Sequence, residues 1–87
     1  MNQGNSHQTS SDTLIAVNGY TVKAIRELAG LSRPDLAKQA QINPSYLAKI
    51  ENGHRGHINP AMFVRLWKTL SVDRRALLAN PHAEVAA

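Results

Sequence analysis

The dipeptide Asn-Pro stands at residues 43–44, 59–60 and 80–81, and Ser32-Arg33-Pro34 repeats its logic with one residue inserted. An Asn or Ser side chain ahead of a helix accepts hydrogen bonds from the first free backbone amides. Proline fits the turn that follows, because the N–H it lacks would have no partner there. Inside a helix the same proline breaks the ladder. These sites cut the chain into short segments, and no long helix can cross them.

Between the stops, apolar residues recur at helical spacing. Asn18 is placed to cap a first helix in which Val22, Ile25, Leu28 and Ala29 share a face while Lys23 and Glu27 point away. Gly30 suits the left-handed residue that ends it. Ser32 caps a second helix with Asp35 near the positive end of its dipole and Leu36, Ala37 and Ala40 as its apolar stripe. Gln41 and Ile42 break that helix after about two turns, and Asn43 caps a third. Asn52-Gly53 stops the third helix, and "HRGHI" reads as a basic loop. The fourth helix follows Asn59-Pro60 and carries Phe63, Leu66, Trp67 and Leu70 at i, i+3, i+4, i+7. Asp73 caps a short fifth, with Leu77 and Leu78 inward.

Ahead of the first helix, "TLIAV" (Thr13 to Val17) has the length and β-branching of a strand or extended arm. The polar stretch "MNQGNSHQTSSD" before it has no apolar periodicity and is expected to be a disordered tail. The expected organisation is a tail over 1–12, one all-α domain of five short helices over 13–80, and a frayed tail over 81–87.

Several function classes fall away. Eighty-seven residues make one small domain. Without cysteine there is no disulfide, thiolate metal site or cysteine nucleophile. There is no paired-carboxylate spacing, Ser/His/Asp constellation or glycine-rich phosphate loop, so no enzyme is expected. His54-x-x-His57 lacks a nearby carboxylate or thiol to complete a tetrahedral site, so neither metal nor other cofactor is expected. No apolar run approaches the roughly 18 residues of a membrane span, and no signal peptide is visible, which points to a cytosolic protein without a membrane partner. The net charge of +4 and pI near 10.0 favour a polyanionic partner without requiring one.

On a helix turning about 100° per residue, Tyr46, Leu47 and Ile50 cluster on the core side of the third helix. Pro44, Ser45, Ala48, Lys49 and Asn52 cluster on the other, and Glu51 lies at the border. Small polar outer residues around one cation would let the axis approach the base edges of a DNA major groove about 12 Å wide. The same pattern also describes the solvated side of any bundle helix.

"LSRPDLAKQAQINPSYLAKIENG" resembles the helix-turn-helix of the phage-repressor/Cro (Xre-type) family, and the likeness extends from Asn18 to Leu78, roughly two-thirds of the chain. Ala37 matches the small residue at the helix crossing, Leu36 and Ala40 the apolar positions, and Ile42 the buried residue after the turn. Leu47 and Ile50 match the inward pair of the second motif helix, and "IENG" the usual ending. The chain departs in having Gln41 where the turn normally carries glycine, Arg33 where glutamine is frequent, and a longer loop after Gly53. A left-handed Gln41 would cost on the order of 1 kcal/mol.

The resemblance implies a five-helix lambda-repressor-like DNA-binding bundle with a short extended N-terminal arm. It implies a cytoplasmic, nucleoid-associated transcription regulator of a bacterial or phage-infected cell, a repressor of the Cro/C1 kind, with a double-stranded DNA operator as partner and no small-molecule substrate. Pro44, Ser45 and Lys49 fall on base-facing positions, with Ala48 available to a thymine methyl. Arg33, Asn43, Asn52, His54, Arg55 and His57 fall on the DNA-backbone set, where contacts fix register without reading sequence. Tyr46 belongs to the core side, with a hydroxyl that could reach a phosphate. Arg26 and Glu51 match a partly buried ion pair tying the first helix to the recognition helix. Such proteins bind as homodimers; the candidate surfaces are the fifth helix around Leu77 and Leu78, or the 13–17 arm pairing with its mate. An antitoxin with the same domain is the nearest variant reading, and a protein-interaction module that keeps the shape without binding DNA is a third.

Overall fold

The computed structural model describes residues 13–80, so the expected tails over 1–12 and 81–87 lie outside the described residues. Four α-helices follow one another: α1 (Gly19–Leu28), α2 (Arg33–Ala40), α3 (Pro44–Glu51) and α4 (Pro60–Leu70). Two short strands, β1 (Ile15–Ala16) and β2 (His57–Ile58), pair antiparallel, with Ile15 opposite Ile58 and Ala16 opposite His57.

Every helix begins at a side-chain cap. Thr21 N–H donates to Asn18 Oδ1, Asp35 N–H to Ser32 Oγ, Ser45 N–H to Asn43 Oδ1, and Met62 N–H to Asn59 Oδ1, at 2.8–3.1 Å. Each cap satisfies an amide that the helix itself leaves unpaired. The interiors are joined by one core of Val17, Val22, Leu36, Ala37, Ala40, Ile42, Leu47, Ile50, Ile58, Phe63, Leu66, Leu70 and Leu77.

The expected fifth helix is a single 3₁₀ turn, Arg74–Leu77, so the α-helices number four. The reason lies in the chain that follows. Leu78 is extended and bridges Val17, and Ala79 N–H donates to Ala16 O at 3.0 Å. An α-helix continuing through these residues would lose both contacts.

Of the two partners open to the 13–17 arm, its own chain or a mate, it takes the first and pairs with β2. Val17 N–H donates to Gly56 O at 2.9 Å and Asn18 N–H to Leu77 O at 2.8 Å. Two-residue strands are too short to persist on hydrogen bonds alone. Burial of Val17 and Ile58, at 5% and 0% exposure, holds them.

On α1, Leu28 is 87% exposed and Ala29 is exposed, whereas Arg26 is buried beside Val22. The polar residue is drawn inward by a buried partner on α3.

Candidate nucleic-acid interface

α3 is fixed from three directions. Its inner side buries Leu47 and Ile50 completely. The turn from α2 passes through Gln41 in the left-handed region, at φ 58, where Gln41 N–H reaches Lys38 O and Ile42 N–H reaches Ala37 O. These bonds and burial of Ile42 offset the strain of a non-glycine residue there. On the third side α1 approaches so closely that a Cβ on Gly19 would meet the carbonyl of Ile50. No periodicity marks Gly19; glycine at the first position of a capped helix was the available sign.

At the end of α3 the Glu51 carboxylate is 2% exposed and lies among three nitrogens. Arg26 Nε donates to Oε2 at 2.7 Å and Arg26 Nη2 to Oε1 at 3.0 Å, a bidentate pair spanning α1 and α3. Arg26 Nη1 also donates to Leu31 O at 2.8 Å. The hydrogen bonds it donates to Glu51 raise the Arg26 guanidinium above its ordinary range, against the opposing effect of burial. Arg33 Nε adds a third contact, at 3.2 Å to Oε1. The pairing of Arg33 was not legible, because α2 and α3 had to be set at their crossing before the two residues met.

The outer side of α3 presents Pro44, Ser45 and Lys49 exposed and Ala48 half-buried, with Asn52 exposed at the C-cap. Tyr46 is half-buried, and Arg55 Cζ lies 5.3 Å from its ring centroid, within cation–π range. Arg55 N–H donates to Lys49 O at 3.0 Å, so the loop after α3 folds back on the helix. Asn43 uses its side-chain oxygen on the α3 amides, and Asn52 uses its own on His54 N–H at 3.1 Å. His54 is exposed in the loop, and His57 is exposed in β2. Thus Arg33 and Asn52 gather at the end of α3, and Arg55 gathers with Tyr46. His57 is tied instead to the arm.

A further cation is structural: Arg65 Nε on α4 donates to Ala40 O at 2.9 Å, satisfying a carbonyl at the end of α2. Among the described residues no group of three His, Cys, Asp or Glu side chains could hold a metal, and no helix is long and apolar enough to cross a membrane.

A helix-turn-helix domain family model matches residues 19–82. Three solved structures share the fold. The biofilm master regulator SinR in complex with DNA is 26% identical over 67% of this chain and 95% of that one, with a TM-score of 0.64. A chain of the SinR protein/SinI protein complex is 27% identical over 77% of this chain and 65% of that one, with a TM-score of 0.69. The restriction-modification controller C.AhdI from Aeromonas hydrophila is 26% identical over 67% and 86%, with a TM-score of 0.62. No curated protein matches the chain by sequence.

Proposed function

The chain belongs to the Xre-type helix-turn-helix family, and from that membership we propose that it is a non-catalytic, sequence-specific DNA-binding transcription regulator. It acts as a repressor of the phage Cro/C1 kind by occupying an operator, with α3 in the major groove and two copies on a two-fold site. The observation that carries this reading is the outer side of α3. Pro44, Ser45 and Lys49 stand exposed with Asn52 on a helix whose opposite side is buried, and SinR, which has this fold, is a DNA-bound regulator.

Lys49 and Ser45 reach base edges, Ala48 offers a methyl-sized apolar contact, and Pro44 supplies shape without a donor. Little of this is hydrogen-bonding information, so DNA deformability contributes to specificity. Arg33, Asn43, Asn52, His54, Arg55 and His57 fix register on the phosphates. The exposed cations Arg33, Lys38, Lys49 and Arg55 fall between the start of α2 and the loop after α3. Of the two acids in that stretch, Asp35 and Glu51, the second is already neutralised by arginine.

The test is a salt titration of binding to genomic fragments around the protein's own gene, wild type beside Lys49→Ala. We expect one fragment to bind far above competitor DNA, with affinity falling steeply in salt. Lys49→Ala should cost about 1–3 kcal/mol on that fragment and relax its preference. Equal weak binding to every fragment, unchanged by the substitution, would sink the reading and direct the search to a protein partner.

A further inference from the structure

A cavity of about 550 Å³ opens where α4 meets the arm, within the roughly 300–1,000 Å³ of small-molecule sites. Its walls are apolar: Ala16 on β1, Phe63, Val64 and Trp67 on α4, and Leu78 beyond the 3₁₀ turn. Leu14 joins them and stays 49% exposed, so apolar surface is left open to water. The polar side chains in the lining are few, and among the described residues none is acidic. Arg74 brings a cation and Asn80 an amide. Lys68 places a second cation 5.9 Å from the ring centroid of Trp67. The acid next to Arg74 in sequence, Asp73, is occupied as a cap, its Oδ1 accepting from Arg75 N–H at 2.8 Å.

We propose that this cavity is an effector site for a small amphipathic anion, an apolar body carrying one carboxylate. The body displaces water from Phe63 and Trp67, and the carboxylate pairs with Arg74, with Lys68 adding to the positive field. A second copy of the chain fits less well. Two copies meeting on this patch about a two-fold axis would bring the same cations together with no acid to match them. Occupancy also has a route to the rest of the domain. Ala16 O accepts from Ala79 N–H at 3.0 Å, and Ile15, also in the lining, stands opposite Ile58. The wall that the ligand touches is therefore the arm that clasps the loop after α3. A ligand that binds only the closed arm holds it closed by mass action. The inference goes beyond the DNA-binding reading and does not depend on it.

The experiment titrates the whole chain with naphthylacetate and with the uncharged naphthylethanol, followed by amide chemical shifts and hydrogen exchange. The variants are Arg74→Gln and Val64→Phe, which fills the cavity. Arg75→Gln is the control, removing the same charge from the same turn outside the lining. We expect naphthylacetate to shift the Ala16 and Trp67 amides and to slow exchange at Ala79. It should bind about tenfold more tightly than naphthylethanol. Arg74→Gln should erase most of that preference, Arg75→Gln should keep it, and Val64→Phe should abolish binding of both compounds. Arg74 is exposed, so its variant carries the test alone if the fold does not tolerate the phenyl ring. Equal binding of the two compounds by the wild type, unchanged in Arg74→Gln, would overturn the anion site. Shifts at Ala16 and Trp67 that follow protein concentration and ignore naphthylacetate would also overturn it, and would assign the face to a second copy.

Discussion

A methyl group placed on Gly19 would collide with the main chain of Ile50, and this carbonyl in the last turn of α3, which accepts from Gly53 N–H at 3.2 Å, cannot swing aside as a side-chain end can. Alanine is the better helix former by about 1 kcal/mol, yet overpacking costs about 1–3 kcal/mol when backbone must shift. At a contact this close the second effect wins. Gly19→Ala should lose up to about 2 kcal/mol in urea unfolding, and a melting temperature raised by the substitution would contradict the packing of α1 on α3. Glu51 calls for a different experiment. Removing it leaves Arg26, 6% exposed, with only the exposed Glu27 carboxylate 3.9 Å away, and breaking a buried pair from one side costs about 3–5 kcal/mol. Against a typical total of 5–15 kcal/mol, Glu51→Ala should leave a large unfolded fraction. Arg26→Met with Glu51→Leu should recover much of that loss, because neither charge is then stranded. A double variant as unstable as the single one would show that the pair supplies stability itself rather than orientation.

At the scale of elements, contrasting fates befell local and non-local signals. The caps at Asn18, Ser32, Asn43 and Asn59 were legible because each reaches only two or three residues along the chain. The division of α3 into buried Leu47 and Ile50 against exposed Ser45 and Lys49 was legible for the same reason, helical geometry being fixed. What sequence did not disclose depends on where distant segments meet. β1 found its partner more than forty residues away in β2. The turn after Asp73 stayed 3₁₀ because Leu78 and Ala79 were needed against the arm. Leu28 lost its place on the inner face of α1 to Arg26, whose partner is on another helix. The arm's role can be tested in isolation. Val17→Ala removes two buried methyl groups, which should cost about 1.5–3 kcal/mol. Hydrogen exchange should quicken first at the Val17 and Asn18 amides, which donate to Gly56 and Leu77, and later in α2. Uniform acceleration across the domain would mean that the arm is integral to the core rather than a clasp on the loop after α3.

At the scale of the whole molecule, the limit is how much sequence one copy can read. α3 is 8 residues long, about 12 Å at 1.5 Å per residue, which spans about three or four base pairs at 3.4 Å each. Of its outward residues, Pro44 and Ala48 offer no side-chain hydrogen bond, so in the proposed function direct readout would fall to Ser45 and Lys49. So few base pairs recur everywhere in a genome, and a regulator limited to them would be lost among competing sites. Two copies on a two-fold site double the span read and add the spacing between half-sites, about 34 Å, as a further discriminant. The arm cannot supply that dimer, since its strand hydrogen bonds are used within the chain. Sedimentation of the protein on its preferred fragment should therefore give two chains per site. Inserting five base pairs between half-sites, about half a helical turn, should abolish tight binding, because it turns the second half-site to the opposite side of the duplex. A one-to-one complex of full specificity, indifferent to that insertion, would mean that a single copy reads more DNA than α3 presents.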